Sequence, residues 1–113
     1  MTRDDRGAAG VFVIALMGVV MLLGLSAAFL VATAAAHRRA QAAADLAALA
    51  GAGAHQDGQD ACVMARAIAG RNRASVTRCE LDSDDVVVRV EVSSPELLGR
   101  RWRVTGSARA GPG

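Results

Sequence analysis

The sequence predicts an α+β protein. It has a long N-terminal transmembrane helix continuing as a stalk, a short second helix and a three-stranded antiparallel sheet. Three observations predict this. No residue from Gly7 to Ala36 is charged. The stretch that follows, "HRRAQAAADLAALAGAGAH" from His37 to His55, keeps a helix-forming composition. From Ser75 onward the apolar period falls from helical spacing to two.

The uncharged run is the first element. Thirty residues of helix span about 45 Å, against a hydrocarbon core of about 30 Å. The strongest part is Val11 to Ala32, and Arg38 and Arg39 follow it. A cleaved secretory signal is the rival, with small residues at Ala32 to His37. Signal apolar regions are about 7–15 residues long, and this run is twice that, so a permanent span is preferred. The expected divisions are a leader over 1–7, a transmembrane helix over 8–36, a helical stalk over 37–54 and a helix-plus-sheet domain over 55–113. Arginine counts on the two flanks lean towards a cytoplasmic C-terminus.

Nothing from His37 to Ala50 breaks a helix, so the first helix is expected from about Ala8 to about Ala50. Gln41 and Asp45 are four apart and within reach of a hydrogen bond across one turn. Leu46 and Leu49 share a face with Ala42 and Ala50. Alanines recur at every fourth position from Ala28 to Ala52. That spacing is compatible with close helix packing, and a chain so rich in alanine also produces it by chance. "HQDGQD", His55 to Asp60, is a turn signal.

A second helix is expected from Gln59 to Ala69, capped by Asp57 and ended by Gly70. Ala61, Ala65 and Ile68 form its apolar face. "SVTRCEL" alternates moderately. "DVVVRVEV" alternates well, with Val86, Val88, Val90 and Val92 on one side and Val87, Arg89 and Glu91 on the other. "DSDD" between these strands reads as a hairpin turn. "SSPELLG" reads as a loop with one helical turn at Pro95. "RWRVTGSARA" reads as a third strand, with Trp102, Val104 and Ala108 inward and Arg101, Arg103 and Arg109 outward. The apolar sheet face needs a cover, and the second helix is the expected one.

The composition narrows the function. Aromatics are 3% of the chain, so the core is small. A formal net charge of +2 gives no reason to expect nucleic acid. Cys62 and Cys79 form a candidate disulfide, which would contribute about 3 kcal/mol in the chain-entropy model. Two free thiols in a reducing compartment are the alternative. A disulfide favours a domain outside the cytoplasm, against the arginine count. His55, Asp57, Cys62 and Cys79 match no common zinc spacing. The cysteines are not C-x-x-C, and no phosphate-binding glycine loop is present. His37 reads as a solvated or headgroup-facing position, Ser93 and Ser94 as loop residues, and the acids Asp82, Asp84 and Asp85 as a solvated turn. No catalytic constellation, cofactor, metal or small-molecule substrate is expected.

"RGAAGVFVIAL" followed by "RRAQAAADLAALAGA" resembles the TadE/TadG-like pilus-assembly proteins, which are small and pseudopilin-like. The carriers are a charged leader ending at Arg6–Gly7, one apolar helix, and the run Gln41, Ala43, Ala44, Asp45, Ala47, Ala48, Leu49 and Ala50. The cysteines and valine-rich strands are similar to the short actinobacterial TadE-like branch. Pilin-like members often carry a glutamate five residues after the leader glycine, where this chain has Phe12. Polymer assembly and processing after Gly7 are therefore not carried over. Gly7 stands as the candidate leader-processing site. The resemblance implies a pilin-like fold, a cytoplasmic N-terminus and a C-terminal domain outside the inner membrane.

The function expected is that of a non-enzymatic, single-pass accessory component of a tight-adherence (Flp, type IV-like) pilus or secretion apparatus. Membrane lipid and sibling pseudopilin or apparatus subunits are the expected partners. Gln41, Asp45, Leu46 and Leu49 are the helix-packing and register residues, and Arg38, Arg39, Arg101 and Arg103 the partner-facing ones. One role for Asp45 is to fix register against a partner helix through the cost of desolvating its charge. The plainer role is a residue facing water. The alternative function is a membrane-tethered extracytoplasmic binding module that acts without a pilus.

Overall fold

The structure is a computed structural model that describes residues 3–93 and 101–112. It divides into two compact units, Met1–Ala32 and Thr33–Gly113. Helix α1 (Arg3–Gln56) supplies all the described residues of the first unit and the opening of the second. In the first unit the large apolar side chains lie outside on every side of the helix, from Val11 to Val31. Phe12 is 69% exposed and Leu22, almost three turns on, 66%.

The second unit holds the core. After α1 come α2 (Ala61–Arg71) and the strands β1 (Ser75–Asp82), β2 (Asp85–Ser93) and β3 (Arg103–Ala110). The three strands form an antiparallel sheet in the order β1-β2-β3, with β2 central. The α+β architecture read from the sequence is the one observed.

Its cover is different from the expected one. Ala36, Ala40, Ala44, Ala48 and Ala52 are all buried, and Ala43 and Ala47 lie beside them. From Ala36 to Ala52 the fourth-position alanine ladder is thus the inner face of α1, packed in the same core as Val86, Val88, Val90, Val92 and Val104. Helix α2 covers mainly β1 and reaches β2. The reason is geometric. A helix faced with alanine lets main chain approach main chain, and β3 meets it with glycine. A Cβ built on Gly106 would lie 2.5 Å from the carbonyl carbon and oxygen of Ala40 and 2.8 Å from the amide nitrogen of Gln41. The segment 37–54, expected as a stalk, therefore carries much of the unit's buried surface.

Helix α1 also runs six residues past Ala50. Gly51 does not stop it, because Gly51 is a packing position. A Cβ there would lie 3.0 Å from the carbonyl oxygen of Ala61 and 3.2 Å from a methyl of Val86. Tertiary contact outweighs the weak helix preference of glycine. The helix ends at Gly58, whose φ is 75°. The Gln59 amide donates to the Ala54 carbonyl and the Gly58 amide to that of His55, the double closure of a left-handed C-terminus.

The next helix starts at once. Its cap is Asp60, whose carboxylate accepts from the amides of Cys62 at 3.0 Å and Val63 at 3.2 Å. Asp57, the cap expected from sequence, belongs to the closing turn of α1. Gly70 does not terminate α2 either. The terminating left-handed residue is Arg73, φ 57°, with the Ala74 amide on the Ala69 carbonyl at 2.9 Å and the Arg73 amide on that of Gly70 at 3.1 Å. Ala69 and Ala74 are both buried, which supplies the apolar contact of this motif. On the inner face Ala69 joins Ala61 and Ala65, while Ile68 is only half-buried.

The uneven alternation of β1 has a cause. The pairing slips between Val76 and Arg78, so that Val76 faces Val90 and Cys79 faces Val88. Val76 and Cys79, three apart, both reach the core side because Thr77 sits in the irregularity. The hairpin turn is Ser83–Asp84, with Ser83 at φ 56°, the positive sign that the twist of paired strands favours in a two-residue turn. One inward assignment fails. Trp102 precedes β3 and is 50% exposed, so the inward set of that strand begins at Val104. The Pro95 helical turn lies outside the described residues.

Candidate functional site

Three features of the described residues have functional potential. They are the uncovered apolar surface of α1, the seam between α1 and β3, and the distribution of charge around the second unit. Each is fixed by local sequence before any partner is considered.

The apolar surface belongs to a helix long and apolar enough to cross a membrane, and among the described residues its most apolar stretch is not buried. Helices apolar all round are interior or membrane helices, because an aqueous face needs polar residues. Gly7 lies exposed near its start, with open space around it.

At the seam, the expected bond between Gln41 and Asp45 is present. The Gln41 side-chain amide donates to Asp45 at 3.1 Å and to the main-chain carbonyl of Ser107 at 2.9 Å. Asp45 thereby aims Gln41 at β3, one residue beyond the close approach at Gly106. The pair thus bonds within the chain, with Gln41 linking α1 to β3. Leu46 and Leu49 do not join it. Leu46 is 47% and Leu49 66% exposed, so both lie outside the core.

The cysteines are brought together as a disulfide, with Cα atoms 5.8 Å apart across a separation of 17 residues. It ties α2 to β1. One methyl-sized group buried contributes about 0.8 kcal/mol, so a core of alanine and valine gains much from a link worth about 3 kcal/mol. Both sulfurs are consumed by the bond, which removes them as metal ligands. Among the described residues no group of three or more His, Cys, Asp or Glu side chains is placed to hold a metal ion.

Charge is sorted along the sheet. At the hairpin end, Arg109 donates through Nε to Asp85 at 2.8 Å, and its Nη2 lies 2.9 Å from Asp82. Hydrogen bonds to Asp85 and then Asp82 raise the guanidinium above its ordinary pKa. His55 Nε2 is 3.7 Å from Asp84 at the same end. Arg103 lies 3.7 Å from Glu91 at the other end. Arg38, Arg39 and Arg101 are exposed. The sequence reading missed Gly106, the Arg109 cluster and the cap at Asp60. Only the last left a local signal, an acid two residues before Cys62.

Comparison with protein-family models, curated proteins and solved structures finds no match to this chain.

Proposed function

We propose that this protein is a non-enzymatic, single-pass component of the cytoplasmic (inner) membrane. Its N-terminus is cytoplasmic and its disulfide-bonded unit lies outside. There it serves as a pseudopilin-like accessory part of a tight-adherence pilus or secretion apparatus. The observation that carries the membrane reading is the uncovered apolar part of α1, joined without a break to a helix half that packs on a sheet. Apolar surface on every side of a helix is stable in lipid and costly in water. The Cys62–Cys79 bond supports an oxidising location for the second unit. The pilus assignment rests on the resemblance carried by the leader, the apolar helix and the Gln41-to-Ala50 run.

Two measurements test it. A membrane-impermeant thiol reagent applied to intact cells should label Cys62 and Cys79 only after an external reductant is added. Labelling that needs no reductant refutes the disulfide, and labelling that needs permeabilised cells refutes the topology. Crosslinking in membranes should recover sibling pilus-type subunits. Recovery of the chain alone turns the assignment to a tethered binding module.

A further inference from the structure

We propose that the end of the folded unit where α1 enters it is a docking surface for anionic phospholipid headgroups. The inference rests on the reading that the apolar part of α1 lies in a bilayer. It adds that this end of the folded unit itself binds the headgroups.

Contacts within the second unit set the direction of β3. Gly106 lies against Ala40, and Gln41 bonds to Ser107. Further along, Gly51 lies against Val86, which pairs with Ala110. Strand β3 therefore runs the same way as α1, and its start points back towards Thr33. Arg103 is three residues before Gly106, about 10 Å of strand. About seven residues of helix cover the same distance, which leads from Ala40 back to Thr33. Arg103 is thus brought to within about one helical turn of Ala36, the end of the uncharged run, with Arg101 and Trp102 next to it in sequence. Arg38 and Arg39 stand two and three residues beyond that run. Arg73 closes the group from the turn between α2 and β1, two residues before Ser75, which pairs with Glu91 at this same end.

The opposite end has the opposite character. Asp82, Asp84 and Asp85 surround the hairpin, where Arg109 and His55 are engaged by them. At the α1-entry end the described acid is Glu91, half-buried beside Arg103. Cations from three segments converge at one pole and carboxylates gather at the other. Trp102, half-exposed among the arginines, has the chemistry of a residue placed at headgroup depth. Arginine next to anionic headgroups is attracted within a Debye length. A free acidic protein offers the same charges, but not at the level where the helix leaves the hydrocarbon.

Trp102 is the single tryptophan, so its fluorescence reports this surface alone. The full chain is reconstituted into vesicles of phosphatidylcholine, and into vesicles of phosphatidylcholine mixed equally with phosphatidylglycerol. In the anionic vesicles, lipids brominated near the headgroup should quench Trp102, and aqueous acrylamide should be excluded from it. Arg39→Gln and Arg101→Gln should each lower the docked-to-free ratio about fivefold, with an unchanged circular dichroism spectrum. High salt should do the same. Retention in the vesicles after an alkaline carbonate wash reports the span separately. A chain retained by the vesicles whose Trp102 is equally open to acrylamide in both lipids overturns the docking surface and leaves the span standing. A chain washed off overturns both.

Discussion

Gly106→Ala adds one methyl group at the seam on which the second unit depends. Its Cβ would lie 2.5 Å from Ala40 main-chain atoms and 2.8 Å from the Gln41 nitrogen. Ordinary carbon contacts are about 3.5–4.0 Å, so α1 or β3 must withdraw by about 1 Å. A gap of that size forfeits a quarter to a half of the dispersion energy along the alanine face. Overpacking of this kind costs about 1–3 kcal/mol. Replacing glycine in a strand returns about 0.5–1 kcal/mol of backbone entropy, so the net loss is about 0.5–2 kcal/mol. For a folded unit of this size that lowers Tm by roughly 2–16 °C. The assay is thermal unfolding of the full chain in detergent micelles, followed by the sheet signal in circular dichroism. Two companions sharpen it. Gly53→Ala, on an exposed part of α1 with nothing within 4 Å of the new methyl, should raise stability by about 0.5–1 kcal/mol. Ala40→Gly should not rescue Gly106→Ala, because the obstruction is main chain and not the Ala40 methyl. A Gly106→Ala protein as stable as the parent, or a rescue by Ala40→Gly, would refute the close approach.

Other outcomes follow from the same structure. Reducing the disulfide, or Cys79→Ser with Cys62→Ser, should cost about 3 kcal/mol, read as a matching fall in Tm; no change would mean the core alone holds α2 to the sheet. Arg73→Gly should stabilise by about 0.5 kcal/mol. Relief of a left-handed non-glycine residue is worth about 1–2 kcal/mol, and the added freedom of the unfolded chain takes back about 0.4–1. A fall in Tm in that variant would contradict the helix ending described. Gln41→Ala should cost about 0.5–1.5 kcal/mol by removing the bond to Ser107. Asp45→Ala should cost less, and nothing further once Gln41 is gone. Full additivity in that double-mutant cycle would separate the two residues.

What the sequence by itself determined was everything with a local period. The uncharged run made a helix of membrane length because length and charge are properties of a single segment. Alternation of Val86, Val88, Val90 and Val92 made a strand with one buried face, since successive strand side chains point to opposite sides. The Gln41–Asp45 bond was legible because a four-residue spacing is one helical turn.

Only the tertiary structure decided what those faces meet. The alanine ladder had the same spacing whether it served another membrane helix or its own sheet. The choice depended on a glycine some 66 residues away, and no local pattern carries that. Helix ends were misplaced for a related reason. Asp57 and Asp60 are both good caps, and Gly51, Gly58 and Gly70 are all plausible stops. Which of them acts is settled by the carbonyls that must be closed and by the packing that keeps Gly51 inside its helix. The convergence of arginines at one pole and acids at the other is likewise invisible in chain order, because it comes from strand direction and pairing. Local preference sets which elements form. Close packing of main chain against main chain sets how they are arranged, and here that depends on the small side chains that allow it.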